Sequence, residues 1–307
     1  TERDEKWMFC PSNPTRAKWV EANTKERLKV ISSETMDLIK DPKDIPEGVK
    51  PIPIVLLYCV KRCGRHKCRA VCLGNLQDGP TPDNYAPVIT LPAVRMLLTE
   101  SVAMGSPVSL FDITSAFLLA ELKAEDGKVV VKLPESWSSQ TGCKYALLKR
   151  ALYGLRISPR RWYEKIDKGL TSLKWKQVCN CLYTKKLDDG TTLWMSVYVD
   201  DCIIGGGTKE QQNEEMASVF NLFPGQEILP SIEGDVYKYD INGIELEVNY
   251  KKREFLLHQE KYIQKTLEKY GMSGCASVIA PRVNPELVAR DSEEVNWPAR
   301  ECLGALL

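Results

Sequence analysis

Between residues 17 and 40, Trp19, Ala22, Leu28, Ile31, Met36 and Ile39 recur at roughly helical spacing among many charges, which predicts an amphipathic surface helix. The proline-rich run from Asp41 to Pro53 ends it. Apolar runs at Ile54–Val60 and Arg69–Leu73 then flank a strongly basic, turn-like loop around Gly64, a β-hairpin pattern. Residues 92 to 104 read as a helix, and the element after Ser106-Pro107 (VSLFDITSAFLL) opens with strand character and holds Asp112 in its middle. The stretch from Lys144 to Ser172 contains a strand-like YALLK, a turn at Gly154 and, after Pro159, a helix carrying Trp162, Tyr163, Ile166 and Leu170. Two apolar strands, TTLWMSVYV and CIIGGG, meet at the acidic turn Asp200-Asp201. A helix near 210–220, a strand pair containing YDINGIELEV and REFLLHQ, and a helix at 260–270 follow. Strands and helices mix without a strict βαβ rhythm, so the predicted class is α+β.

The acidic turn is the feature that asks for chemistry. Apolar strands this close bury their junction, and packed carboxylates there cost free energy unless they protonate or bind cations. Hard divalent ions such as magnesium prefer oxygen ligands of this kind. Asp112 lies in a separate strand with comparable apolar flanks, and pairing that strand beside the hairpin brings a third carboxylate to the same face. Three such groups can bridge two ions about 3.5 to 4 Å apart, the arrangement of in-line phosphoryl transfer. The alternative is a plain turn, since aspartate is a favoured turn residue. Asp188-Asp189-Gly190, in a polar stretch, has that simpler character.

Length and composition narrow the classes. The 307 residues, 43% of them hydrophobic, can bury more than one core. A formal charge of +1, from 42 basic and 41 acidic residues, means that any polyanion site must come from local clustering. Eleven cysteines, an odd number, without an apolar leader before Trp7, point to reduced thiols in an intracellular protein. The longest apolar stretch, Ile52 to Val60, is far below the roughly 20 residues needed to cross a bilayer. Thr1 at the start and the apolar run Leu303–Leu307 at the end suggest a segment of something longer.

Several ordered motifs resemble one family. Tyr198-Val199-Asp200-Asp201 resembles the signature of retroelement reverse transcriptases, and its neighbours resemble the copia-type long-terminal-repeat retrotransposon group. Phe111-Asp112-Ile113 with Ala116-Phe117-Leu118 matches that group's first catalytic motif. The run Ala151-Leu152-Tyr153-Gly154-Leu155-Arg156, continued by Ser158-Pro159 and Trp162-Tyr163, is the most specific match. Lys67-Cys68-Arg69-Ala70-Val71 and Tyr85-Ala86-Pro87-Val88 resemble its fingers motifs, and Asn242-Gly243-Ile244-Glu245-Leu246 and Gln259-Glu260-Lys261-Tyr262-Ile263 its segment after the palm. The chain departs at Cys72-Leu73-Gly74, where the family commonly reads Ala-Lys-Gly, and at Gly79-Pro80-Thr81-Pro82.

The resemblance implies a right-hand polymerase fold with an antiparallel palm sheet: fingers at 1–90 and 122–157, palm at 91–121 and 158–250, and the start of a thumb at 251–307. It implies an RNA-directed DNA polymerase of a polyprotein, working on an RNA or DNA template with a primer and deoxynucleoside triphosphates. Two Mg2+ ions, replaceable by Mn2+, would be held at Asp112, Ile113, Asp200 and Asp201. Lys67, Arg69, Phe117, Tyr153 and Gly154 would border the nucleotide, with Phe117 under the sugar excluding a 2′-hydroxyl. Tyr198, Gly243, Ile244, Arg156 and Arg160 would meet primer and template. Integrase and RNase H segments would lie outside the fragment, with no membrane partner, and the protein would work in the cytoplasm, in a virus-like particle, and in the nucleus. Two other readings stay open: a decayed or co-opted nucleic-acid-binding domain, and an RNA-dependent RNA polymerase, against which Phe117 argues. Without the flanking motifs, Phe117 reads as an ordinary core aromatic.

Two basic clusters suit a phosphate backbone: Lys61, Arg62, Arg65, His66, Lys67 and Arg69, and Lys144, Lys149, Arg150, Arg156, Arg160, Arg161 and Lys165. A charge run alone is more often a solvated face. Cys59, Cys63, Cys68 and Cys72 around His66 lack the short C-x2-C knuckles of zinc sites, although on a hairpin they could face each other across strands; free thiols are the expectation.

Overall fold

The computed structural model describes residues 5–32, 34–61, 64–77, 83–241, 243–276, 301 and 304–305. Arg62, Cys63, residues 79–82, Asn242 and most of the terminal apolar run therefore lie outside the described residues. The chain divides into two compact units, residues 1–229 and 230–307. Both mix helices with sheets that are antiparallel at all but one strand pair.

The first unit opens with helices α1 (Glu5–Met8) and α2 (Arg16–Ser32). Its first sheet contains β1 (Met36–Ile39), β2 (Ile52–Val60), β3 (His66–Cys72), β5 (Val130–Lys132) and β6 (Tyr145–Leu148), in the order β1-β6-β5-β2-β3. The predicted helix over 17–40 is corrected here. It ends at Ser32, Glu34 takes a left-handed φ of 55°, and Met36–Ile39 is a strand whose Met36 and Ile39 point into the core while Asp37 faces out. Pairing of β1 with β6, more than 100 residues away, overrides the local pattern. The hairpin β2–β3 matches the expectation, with Gly64 at φ 77° in its loop. Beneath this sheet, Tyr58 and Trp137 are fully buried and both bond the Asn23 side chain, whose amide donates to Tyr58 Oη while its oxygen accepts from Trp137 Nε1. Between these strands lies α5 (Glu135–Thr141).

The second sheet, order β11-β4-β10-β9-β8-β7, holds the acidic strands: β4 (Val108–Ile113), β7 (Lys176–Cys179), β8 (Leu182–Lys186), β9 (Thr192–Tyr198), β10 (Asp201–Gly205) and β11 (Gly225–Ile228). Helices α3 (Leu91–Ala103), α4 (Ala116–Leu119), α6 (Ser158–Ser172) and α7 (Lys209–Leu222) accompany it. Its second core is built from Phe111, Trp162, Trp175, Tyr183, Met195, Val197 and Ile204, all buried. Ser158 opens α6 buried, accepting from Leu152 N–H and donating to Leu152 O, so the chain before the helix is anchored to it.

The second unit is a meander of β12 (Ser231–Glu233), β13 (Val236–Ile241), β14 (Ile244–Asn249) and β15 (Glu254–His258), followed by α8 (Glu260–Lys269). Among the described residues, Tyr239, Leu246 and Val248 are its buried apolar ones, and Lys261 of α8 pairs with Glu245 at 2.8 Å. The strand pair around Asn242 thus belongs to this unit.

Candidate active site

Strand β4 lies beside β10 in antiparallel register, and Asp112 is the direct cross-strand partner of Asp201. Directly opposite residues in an antiparallel pair share a face, with Cβ atoms about 5 Å apart. Tyr198 pairs with Asp201 on the other side, which leaves Val199 and Asp200 as a two-residue hairpin turn. The turn is therefore Val199-Asp200, one residue earlier than the Asp200-Asp201 pattern suggests, and Asp201 is the first residue of β10. Val199 sits at φ 57°, the left-handed first position that tight hairpin turns require. The Asp200 carbonyl accepts from Ile113 N–H at 2.8 Å, tying the turn to the strand that holds Asp112.

Electrostatics agree with this closeness. Burial pushes the Asp112 carboxyl above the ordinary range and the Asp200 charge adds to it, while Lys67, Lys61 and Lys29 oppose. The basic β2–β3 hairpin is thus near enough to act on the acids. Among the described residues, no three Asp, Glu, His or Cys side chains converge to hold a metal ion. Oxygen-only donors that destabilise each other's charge nonetheless suit a hard divalent ion, and magnesium is commonly held by one or two carboxylates plus substrate phosphates rather than by an all-protein cage.

The residues expected around the nucleotide form a connected chain. The Arg69 guanidinium lies over the Tyr153 ring, 4.9 Å from its centroid. Tyr153 also meets Phe117 edge-on, with ring centroids 4.9 Å apart. Burial raises the Tyr153 hydroxyl, with the Arg69 cation opposing and Asp200 adding, so this ring lies within the field of both the hairpin and the acids. Lys67 is pulled down by burial first, then by Arg69, Lys61 and Lys29. Gly154, at φ 87°, is where β3 and the Tyr153 turn press together. A Cβ there would stand 2.1 Å from Cys72 O, and Cys72 N–H already donates to Tyr153 O at 2.7 Å.

The remaining candidates are dispersed. Tyr198 is half exposed beside Asp201. Arg156 donates to Asn75 O, and Arg160 pairs with Asp83 at 2.9 Å and Glu164 at 3.0 Å. Arg161, counted in the same basic cluster, is a correction: it is 3% exposed and neutralised by Glu125, Asp126 and Glu164, so that cluster is no continuous cationic face. Helical spacing turned it inward. Gly243, at φ 83°, and Ile244 lead into β14 of the second unit. The thiols do not oppose one another across the hairpin either: Cys59 pairs with Lys67, Cys68 with Tyr58 and Cys72 with Ile54.

Residues missed at the sequence level include Lys18, Lys25 and Lys29, which line a cleft of about 580 Å³ with Arg65 and Lys67. Their spacing of seven and four along α2 was the available signal. Trp162, expected in helix α6 and within the most specific family motif but not at the acidic turn, donates its indole N–H to Val199 O at 2.6 Å.

The fold sets paired aspartates on one sheet and a basic hairpin on the other, and comparison with known sequences gives the family. The profile of the family described as reverse transcriptase (RNA-dependent DNA polymerase) matches residues 33–284, and the chain belongs to that family. It is of the copia-type retrotransposon kind, being similar to the retrovirus-related Pol polyprotein from transposon TNT 1-94 of Nicotiana tabacum. The two are 26% identical over 316 residues, covering 96% of this chain and 23% of the relative. The chain thus spans under a quarter of that protein's length.

Proposed function

We propose that the chain is an RNA-directed DNA polymerase that adds deoxynucleotides to a primer 3′-hydroxyl on an RNA or DNA template. The observation that supports this best is the register placing Asp112 opposite Asp201, with Asp200 in the adjoining turn. In this reading residues 1–90 and 122–157 form the fingers, 91–121 and 158–250 the palm, and 251–307 begin a thumb. Asp112, Asp200 and Asp201 hold two divalent ions, with Ile113 beside them and incoming phosphates as further ligands. Such ions, when bound, lower the pKa of the primer hydroxyl and steady the leaving pyrophosphate. Arg69 contributes a planar fork for triphosphate oxygens and Lys67 a point charge. Phe117, braced by Tyr153, blocks the 2′ position and so selects deoxynucleotides. Tyr198, Arg156, Arg160, Gly243 and Ile244 face primer and template. Integrase and RNase H activities are assigned to other parts of a longer polyprotein.

The test is extension of oligo(dT) on poly(rA) in Mg2+ and again in Mn2+, with Asp200→Asn as control. Extension by the parent protein that vanishes in the variant is the expected result. Extension by Asp200→Asn at near the parent rate refutes the assignment of the acids. Primer-template binding without extension by either protein marks a nucleic-acid-binding domain that does not polymerise. Incorporation of ribonucleotides in preference to deoxynucleotides refutes the role of Phe117.

A further inference from the structure

We propose that Trp162 is a positioning residue, whose indole N–H pins the main chain of the Val199-Asp200 turn and so fixes where the Asp200 carboxylate points. The argument begins with Val199. It is β-branched and left-handed, with φ at 57°, a position that glycine, asparagine or aspartate normally fills in two-residue hairpin turns. A β-branched residue is strained there and persists only where its surroundings over-determine it.

Those surroundings are visible on both sides of the turn. The Val199 carbonyl accepts from Trp162 Nε1 at 2.6 Å, and the next carbonyl, of Asp200, accepts from Ile113 N–H at 2.8 Å. One bond ties the turn to α6 and the other ties it to β4. Trp162 cannot follow the turn if it moves. It is 2% exposed, meets Phe223 edge-on at 5.6 Å, and lies in the second core. The Val199 side chain borders a small apolar cavity of about 90 Å³, together with Pro87, Val88, Trp162, Tyr163 and Val197. Asp200 is therefore carried between two peptide groups anchored to separate elements. Ring volume alone would fill the core; the donor nitrogen is the part that acts on the turn.

The activity arm of the test rests on the polymerase reading, and the stability arm does not. Four proteins are compared: the parent, Trp162→Phe, Val199→Gly and the double variant. Primer extension gives kcat and the KM for deoxynucleotide, and urea titration gives the unfolding equilibrium. Trp162→Phe is expected to lower kcat about tenfold, the equivalent of one hydrogen bond of about 1.4 kcal/mol, with KM changed less than about twofold. In the Val199→Gly background the same substitution should lower kcat less than about threefold, because glycine takes a positive φ unaided. Equal losses in both backgrounds, or a loss confined to KM, overturn the proposal. If the parent protein does not extend primers, the polymerase reading fails instead, and the clamp is judged on unfolding alone. Non-additive effects of the two substitutions then uphold it and additive effects sink it. Should Trp162→Phe not fold, benzothienylalanine placed at position 162 removes only the donor, and the same comparisons apply.

Discussion

Gly154→Ala tests whether the nucleotide side of the site depends on one close approach between main chains. At φ 87°, alanine there costs about 1–2 kcal/mol from its own Cβ alone. Its Cβ would also stand 2.1 Å from Cys72 O and 2.7 Å from Val71 Cγ1, against an ordinary contact of 3.4 Å or more. A backbone oxygen cannot swing aside, so β3 or the Tyr153-Gly154 turn must retreat by more than an ångström. That breaks the 2.7 Å bond from Cys72 N–H to Tyr153 O, a further cost of about 1 kcal/mol. A total of about 2–3 kcal/mol is expected in urea unfolding. Because Tyr153 touches both Arg69 and Phe117, the KM for deoxynucleotide should rise several-fold as well. Gly142→Ala is the matched control: its φ is 70°, yet nothing lies within 4 Å of the added Cβ, so it should cost only the backbone penalty of about 1–2 kcal/mol and leave KM alone. Equal costs for the two alanines would refute the reasoning, since they share the backbone penalty and differ only in the seam.

Two further predictions concern buried charge. Folding raises the pKa of Asp112, so its contribution to stability is full below the ordinary carboxylate value, about 4, and is lost as pH rises through the raised value. Asp112→Asn should therefore be more stable than the parent at neutral pH without divalent ions, and the gain should disappear in acid; a variant less stable at pH 7, measured by urea unfolding, would contradict this. It should also abolish extension. Arg161→Met removes the cation facing buried Asp126 and is expected to cost about 3 kcal/mol in the same assay. Burial opposes ionisation of Glu164, but hydrogen bonds from Lys123, Arg161 and Arg160 outweigh it and pull its pKa down to about 2. The parent's share of stability from this group is thus present above about pH 4.3 and fades towards pH 2, and the pH profile of Arg161→Met should be flatter there.

The hairpin with its acids was legible because two apolar runs flank an acidic dipeptide, but its register was not. Cys202, Ile203, Ile204 and Gly205 are all buried, so β10 lacks the alternation that would say which side chains share a face. The placing of Asp112 opposite Asp201 is set by pairing of β10 with β4, from about 90 residues earlier in the chain, and no local pattern reports that. Strand β1 failed for the same reason. Arg161 failed differently: counting charges along the chain shows their density but not which of them a helix turns into a buried acidic pocket. Leu73, which departs from the family's usual basic residue, packs against the first core, so the change exchanges a cation for apolar contact.

What local sequence could not show at all is how the two halves of the site are joined. The acids belong to the second sheet and its core, whereas Arg69 and Lys67 belong to β3 of the first. Two adjacent residues bridge them, since Ala151 is buried in the second core and Leu152 in the first. The chain that crosses over then presents Tyr153, locks it to β3 through Cys72, and returns through Ser158 into α6, the helix whose Trp162 pins the acidic turn. One continuous stretch, Ala151 to Trp162, thus sets both the support of the nucleotide side and the position of Asp200. Damage at Gly154 should consequently appear first in KM and damage at Trp162 first in kcat. A substitution at either position that moved both parameters equally would mean that the stretch acts as one rigid body rather than as two anchored ends.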